Sequence, residues 1–198
     1  MMRLKIIIPI IATLALLSTP AAAEFAQSPM LAKEVEAGKL PPVADRLPQP
    51  PRVIETGPGV YGGDLRIAMS RARDTRLMTV YGYARLVGYD REYNLVPDIL
   101  ESFETIDDKV FTFKLRKGHK WSDGQPFTTE DFRYWWEDMA NNPELSPLGP
   151  PVLLKVDGEV PKVEILDEQT IRYSWSKPNP FFLPALAGPR PPFIYRPA

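Results

Sequence analysis

The chain has 198 residues, no Cys and one His, and its 24 basic and 25 acidic side chains nearly cancel, for a net charge of −1. Such a balance provides no basic field to hold a phosphate backbone, so we exclude nucleic-acid binding. Without Cys there can be no disulfide, thiolate nucleophile or Fe–S cluster, and one His cannot form a His metal cluster. With 44% hydrophobic and 11% aromatic residues, the chain is expected to be globular.

The first 23 residues have the three-part pattern of a secretory signal. Two basic residues precede an apolar run from Ile6 to Leu17, and the small-residue cleavage site Ala21-x-Ala23 follows. An uncleaved membrane anchor is the alternative, but the run is shorter than the roughly 20 residues that span a bilayer, and Pro9 interrupts it. We predict cleavage after Ala23, which changes the net charge from −1 to −3 because two basic residues and no acidic ones are removed.

The compartment follows from the same segment. No Cys follows the apolar run, so no lipid can be attached there, and the exported protein is expected to diffuse freely, without a stable membrane anchor. A freely diffusing exported protein stays with its cell only where an outer membrane encloses it. The sequence therefore favours a bacterial periplasm.

Residues 24–60 are predicted to form a short helix followed by a proline-rich arm. Ser28 at the N-cap, Pro29 at the first helical position and Gly38 just past the end indicate the helix. Six prolines between residues 39 and 58 then remove backbone donors that a helix or sheet would use. The sequence leaves open whether this arm is a plain linker or packs against the rest of the protein.

Three elements are predicted before residue 104. The alternation of apolar residues from Leu65 to Met69, after a glycine pair, predicts a strand. The helical spacing of apolar residues over Thr75–Leu86 predicts a helix, and Pro97 is placed to open a short helical turn within residues 95–103.

The clearest pattern lies between residues 110 and 142. Phe111, Phe113 and Leu115 alternate with polar residues, which predicts a half-buried strand. Lys117-Gly118 and Asp123-Gly124 predict turns. A helix is expected to begin at a capping box formed by Thr128 and Asp131 and to end at Asn141-Asn142-Pro143. Its one strongly apolar face consists of Phe132, Trp135, Trp136 and Met139.

The last predicted element is a hairpin. Alternating residues at Val163–Ile165 and Ile171–Trp175 flank the polar residues 167–169, as two paired strands joined by a turn do. The residues from Gly188 to Ala198 are not expected to close any element.

The segment from Phe111 to Phe132 resembles the signature of the peptide/nickel class of ABC-transporter solute-binding proteins, solute-binding family 5. A strand, a Lys-Gly turn, an Asp-Gly turn and a Thr-x-x-Asp helix start occur there in the family's order, which is more specific than a short motif. Gly62–Leu65 is similar to the first strand of the family's binding lobe. The arm around Leu40–Pro48 resembles the N-terminal arm of a longer, alphaproteobacterial-looking branch.

The resemblance implies a mixed α/β fold, namely a partial first lobe of a two-lobed periplasmic-binding-protein fold with its accessory subdomain. It divides the chain into a signal peptide (1–23), the helix and arm (24–60) and an incomplete solute-binding lobe (61–198), without a second lobe. It implies a truncated, monomeric periplasmic component of an ABC importer, with a peptide or similar small solute, permease subunits and their ATPase as partners. No catalysis, cofactor or metal is implied.

The resemblance also places the solute. In the family the loop after the first strand borders the cleft, so we expect solute contacts from this loop and from two aromatic residues; the residues are Ser70, Arg71, Arg73, Asp74, Tyr83 and Trp121. An ordinary surface loop is the alternative for these positions.

Other residues allow two interpretations. The basic run at Lys114, Arg116, Lys117, His119 and Lys120 is expected to be a solvated strand face rather than an anion site. His119 alone supplies too few ligands for a metal. The apolar helix face is expected to pack in the core rather than to line an aromatic pocket.

Two other functions remain as alternatives. A secreted hydrolase would need two carboxylates with separated pKa values, whereas the available ones are expected to be turn and cap residues in water; they are Asp123, Glu130, Asp131, Glu137 and Asp138. A passive interaction module of the cell envelope is the third possibility, and stable co-purification with a protein partner would distinguish it.

Overall fold

The computed structural model describes residues 25–54, 59–78, 84–188 and 192–198. The predicted signal segment lies outside these residues. Within them, helices and antiparallel strands are mixed, as the sequence predicted.

The centre of the fold is a four-stranded antiparallel sheet, and a two-stranded sheet lies before it in the chain. The small sheet pairs β1 (Val87–Tyr89) with β2 (Leu95–Pro97). The large sheet has the order β3-β4-β6-β5, with β3 at Leu100–Ile106, β4 at Val110–Leu115, β5 at Lys162–Ile165 and β6 at Thr170–Ser174.

Strand β4 behaves as its alternation predicts. Phe111, Phe113 and Leu115 are at most 1% exposed, while Lys114 faces solvent. The strand lies between β3 and β6, where Phe111 stands opposite Tyr173. Each such buried side chain stabilises the fold by roughly 1.5–3 kcal/mol, so this face is the main hydrophobic layer.

The predicted hairpin is confirmed as β5 and β6, which pair antiparallel around the turn at residues 166–169. Helix α4 (Phe182–Ala187) follows and packs its first residue on the same core. The Phe182 ring lies 5.1 Å from Phe111, 5.3 Å from Tyr173 and 5.1 Å from Trp175, measured between ring centroids. Aromatic contacts therefore join α4 to β4 and β6.

The predicted capped helix is also confirmed. Helix α3 (Thr129–Tyr134) begins at Thr128, and the reciprocal bonds of a capping box with Asp131 are both present. The helix continues as a π-helix over Trp135–Ala140, and the chain turns at Asn141. Its apolar face packs in the core as expected, with Phe132 and Trp135 buried.

Two sequence predictions upstream are corrected by the structure. Residues 61–69 form no strand, and Leu65 and Ile67 are 70% and 42% exposed. A strand needs a neighbour for its backbone groups, and no described segment pairs with this one. The alternating segment at residues 61–69 therefore has no neighbouring strand in the described structure with which to form a sheet.

The predicted helical turn at Pro97 is wrong, because Pro97 ends strand β2 and stands opposite Val87. Within the described ranges strand β2 has a single neighbouring strand, so a residue without an N–H is tolerated there. Leu100, in the same predicted segment, begins strand β3.

The predicted helix over Thr75–Leu86 falls partly outside the described residues, and it does not extend through residues 84–86. A 3-10 helix covers Ala72–Met78, residues 79–83 lie outside the described part, and residues 84–86 are not helical. The Arg85 N–H donates to the Asp98 carboxylate over 3.0 Å, and the Leu86 carbonyl accepts from Leu100. These tertiary partners hold the backbone out of a helix.

The N-terminal helix is found as a 3-10 turn (Pro29–Leu31) followed by α1 (Ala32–Glu36). Gly38 lies past its end with φ of +69°, a conformation that suits Gly. The arm contains a further short helix, α2 (Val43–Arg46).

The described part of the arm packs on the protein and is no free linker. The Gln49 N–H donates to the Lys117 carbonyl over 2.8 Å. Arg52 pairs with Asp98 over 2.8 Å between guanidinium and carboxylate. The question that the sequence left open is thus answered for residues up to 54. Among the helices in the described ranges, none is long and apolar enough to cross a membrane.

Candidate functional site

The predicted solute-contact residues fall in two places. Ser70, Arg71 and Arg73 are exposed, and the Ser70 hydroxyl donates to the Asp74 carboxylate over 3.0 Å at the start of the 3-10 helix. Tyr83 lies outside the described residues. Trp121 lines two cavities, and no residue of the 70–74 loop lines either of them. The cavities therefore do not join this loop to Trp121.

Trp121 lies on a short loop between β4 and α3. Two backbone hydrogen bonds join the two sides of this loop. The Trp121 N–H donates to the Gln125 carbonyl over 2.8 Å, and the Phe127 N–H donates to the His119 carbonyl over 2.9 Å. The Asp123-Gly124 turn closes it, with Gly124 at φ of +91°. This geometry presents the partly exposed Trp121 side chain beside the first turn of α3.

Asp131 bonds both the Trp121 indole and the N-terminal cap of α3. Its carboxylate accepts from the Trp121 indole N–H over 3.0 Å, from the Thr128 backbone N–H over 2.7 Å and from the Ala198 N–H over 3.2 Å. Its backbone carbonyl accepts from the Arg196 N–H over 3.0 Å. Asp131 is only 4% exposed, so the expectation that all five carboxylates stand in water is wrong for this one.

The other four carboxylates, Asp123, Glu130, Glu137 and Asp138, are exposed as expected. Arg133 bonds three of them, and its hydrogen bond lowers the pKa of Glu130. A general acid needs a raised pKa, and the geometry gives no support to the hydrolase alternative.

A first cavity, of about 340 Å³, is lined by Trp121. Its wall includes several acidic and other oxygen-bearing side chains, among them Asp123, Glu130 and Asp131. The last described residues, Pro197 and Ala198, also line it. Within the described ranges, no group of three or more His, Cys, Asp or Glu side chains could hold a metal ion.

A second, apolar cavity of about 340 Å³ is also lined by Trp121. Aromatic rings dominate this wall, which is formed by Trp121, Phe127, Phe193 and Tyr195. Phe127 lies 5.1 Å from Tyr195 and 5.2 Å from Trp121, both edge to face. The lining also includes His119 and two cationic side chains, Lys120 and Arg196.

His119 lies half-buried behind this cavity. Its Nε2 is buried without a hydrogen-bond partner. Burial is the main cause that lowers the pKa of His119; the Arg116 charge also lowers it, while the hydrogen bond to the Ile99 backbone and the Asp98 charge oppose the shift. The ring is therefore neutral at neutral pH.

The rest of the basic run is a solvated face that also holds the arm. Lys114 pairs with Glu101 over 3.2 Å. Arg116 donates to the carbonyls of Asp98 and Pro50, each over 3.2 Å. The Lys120 ammonium donates to the Asp45 carbonyl over 2.9 Å. Sequence reasoning placed these residues at the surface but did not predict that they bind the arm.

Sequence reasoning also missed the segment at residues 192–198. Ile194 and Tyr195 are buried, and the Arg196 and Ala198 backbones bond Asp131. The run Phe193-Ile194-Tyr195 was the available signal, because three consecutive apolar residues among prolines favour burial.

The comparisons with known proteins agree with this geometry. The profile described as "Bacterial extracellular solute-binding proteins, family 5 Middle" matches residues 94–196. The periplasmic oligopeptide-binding protein OppA of Salmonella typhimurium is 34% identical over 112 residues, covering 50% of this chain and 21% of that protein. The periplasmic alpha-galactoside-binding protein of Rhizobium meliloti is 28% identical over 172 residues, covering 75% of this chain and 25% of that protein.

Solved structures give the same result. A structure of an oligopeptide-binding protein OppA has 38% sequence identity and a TM-score of 0.67, and the match covers 81% of this chain and 25% of that chain. The chain thus spans about a quarter of the length of these relatives. The predicted fold class, a partial lobe of a periplasmic binding protein, is confirmed.

Proposed function

Because the chain belongs to the bacterial extracellular solute-binding proteins of family 5, we propose that it acts as the periplasmic solute-binding component of an ABC importer for peptides or similar small solutes. The family is made of binding proteins, so the proposed role involves no chemistry. The observation that carries the proposal is the profile match over residues 94–196, which includes β4, the Trp121 loop and the capped helix α3.

The proposed mechanism is closure of two lobes around the solute, with hinge residues that absorb the motion. The relatives are more than three times as long as this chain, so these residues supply one part of the binding surface in the proposal. The 70–74 loop, Tyr83 and Trp121 remain the proposed contacts. Arg71 and Arg73 would attract a carboxylate, and the Trp121 indole would pack against an apolar group.

A carbohydrate is the second candidate solute. The alpha-galactoside-binding relative matches over more of this chain than the oligopeptide-binding one does. The flat face of an indole packs well against the apolar face of a sugar ring, so Trp121 suits either class.

Transfer of this segment into a complete relative tests the solute. In a chimera, the matched 112-residue segment of the Salmonella oligopeptide-binding protein is replaced by the corresponding residues of this chain. Calorimetry with a mixture of tri- to pentapeptides is expected to show micromolar binding by the chimera and no micromolar binding by the 198-residue chain alone. A folded chimera that binds raffinose and no peptide would favour the carbohydrate.

The contact residues are tested on a chimera that also includes residues 70–78. Arg71→Gln with Arg73→Gln is expected to weaken peptide binding, whereas the control Arg91→Gln, also at an exposed position, is not. Equal effects of the two changes would show only a general charge effect and would remove the loop from the site.

Mass spectrometry of the periplasmic protein tests the proposed cleavage, with Glu24 expected as the first residue.

A further inference from the structure

The apolar cavity beside Trp121 has a composition that defines a ligand chemistry. Its volume of about 340 Å³ lies at the low end of the roughly 300–1,000 Å³ usual for small-molecule sites. Burial raises the pKa of the Tyr195 phenol to about 12, and His119 is neutral at neutral pH, so these aromatic walls are uncharged. A flat apolar group fits such walls.

Two cations at the cavity lack a carboxylate partner within the described ranges. The Lys120 ammonium bonds the Asp45 carbonyl. The Arg196 guanidinium donates to the Tyr195 carbonyl over 2.9 Å and lies 5.7 Å from the centroid of the Phe193 ring. Neither contact neutralises a charge, whereas Arg52, Lys114 and Arg133 each pair with an acid. An anion is therefore the complementary group for this rim.

We propose that this cavity binds an aromatic ring that carries a carboxylate, with the ring against Trp121, Phe127 and Tyr195 and the carboxylate at Lys120 and Arg196. An aromatic residue at the C-terminus of a peptide is one group of this kind. The binding needs neither a transporter nor lobe closure, so its test is independent of the proposed transport function.

Three small probes separate the two parts of the proposal. 3-Phenylpropionate has the ring and the charge, 3-phenylpropanamide has the ring alone, and propionate has the charge alone. His119 is the only imidazole in the 198-residue sequence and lines the cavity, so its ring-proton NMR signals report binding there in untagged protein. At neutral pH we expect a saturable shift with phenylpropionate, a weaker interaction with the amide and no saturable shift with propionate.

Charge variants identify the anion-binding groups. Lys120→Gln and Arg196→Gln are each expected to weaken phenylpropionate binding roughly two- to fivefold and to leave the amide unchanged. Lys117→Gln is the matched control, because this exposed Lys belongs to the same turn but does not line the cavity. Added salt is expected to weaken phenylpropionate binding and not that of the amide.

Several results would overturn the proposal. One is the lack of any saturable His119 shift with phenylpropionate in folded protein. Another is equal affinity for the acid and the amide, which would leave the cations without a role. A third is an equal effect of Lys117→Gln, which would show that the whole surface charge, rather than the cavity rim, attracts the probe. Loss of transport in cells with intact probe binding would count against the proposed function alone.

Discussion

Asp131 connects three parts of the chain through one buried carboxylate. It accepts N–H groups from the cap of α3, from the Trp121 loop and from the last described segment. Asp131→Asn replaces one acceptor oxygen by an NH₂ group that faces donors. Because a buried donor without an acceptor costs about 1–3 kcal/mol, we expect the free energy of unfolding to fall by about that amount, measured by chemical denaturation.

Asp123→Asn is the control for this prediction. Asp123 is exposed, and among the described residues its carboxylate accepts only the Gln125 backbone N–H, over 3.0 Å, in a bond that Asn can also make. We expect a change below about 0.5 kcal/mol. If Asp131→Asn lowered the free energy of unfolding no more than Asp123→Asn does, the hydrogen bonds of Asp131 to three parts of the chain would not contribute to stability.

His119 makes stability depend on pH in a direction that follows from its burial. Its pKa in the folded protein is lowered from 6.5, so between the two pKa values the unfolded chain binds more protons. The contribution of His119 to stability is therefore complete above about pH 6.5 and is lost as the pH falls toward the folded pKa. The groups that act on the ring are Arg116, Asp98 and the Ile99 backbone.

His119→Gln removes this titration and leaves the carboxylates in place. The free energy of unfolding of the natural protein is expected to fall, relative to that of the variant, between about pH 7 and pH 5. NMR titration of the single imidazole gives the folded pKa directly. A measured pKa above 6.5, or parallel pH profiles of the two proteins, would contradict the prediction.

At the scale of elements, the arm is the part whose attachment depends most on polar contacts. The side chains of Arg52 and Asp98 are 33% and 24% exposed, and their 2.8 Å pair links the arm to the residue that directly follows β2. We expect a coupling of about 0.5–1 kcal/mol in a double-mutant cycle of Arg52→Gln and Asp98→Asn. The Asn variant can still accept the Arg85 N–H.

The matched control is the Lys162 and Glu164 pair, which is of similar length at 2.7 Å but has a Lys side chain that is 72% exposed. Its coupling is expected to be smaller because water screens it. Hydrogen exchange at the Gln49 N–H, which bonds Lys117, gives a second readout. Rapid exchange at this amide in the natural protein would show that the arm is not docked.

Two confirmed predictions depend on contacts between near neighbours, whereas residues 84–86 depend on partners farther along the chain. The β5–β6 hairpin and the capping box of α3 are closed by residues a few positions apart, so their signals are local. Residues 84–86 end the segment with helical spacing, yet Asp98 and Leu100 make hydrogen bonds to their backbone, which is not helical. Sequence reasoning also did not predict the hydrogen bond between Trp121 and Asp131, although it named both residues, because the bond depends on how the loop and the helix pack together.

At the scale of the whole molecule, two alternating segments have opposite environments. Phe113 in β4 is completely buried between two strands, whereas Leu65 and Ile67 are exposed and have no partner strand in the described part of the chain. The pattern indicates which side chains can share a face, but only a neighbouring strand makes it a sheet. Alternation alone could not distinguish the two segments.

This contrast predicts two very different effects on stability. Phe113→Ala is expected to lower the free energy of unfolding by about 3–5 kcal/mol, because it removes a buried ring and leaves a cavity. Leu65→Thr with Ile67→Thr is expected to change it by less than about 0.5 kcal/mol, because both side chains are already exposed. Denaturation of the 198-residue chain measures both. In a chimera that brings residues 61–69 into a complete relative, a large loss from the double Thr variant would show that these residues pair with chain outside this sequence, and an unchanged stability would show that they stay at the surface.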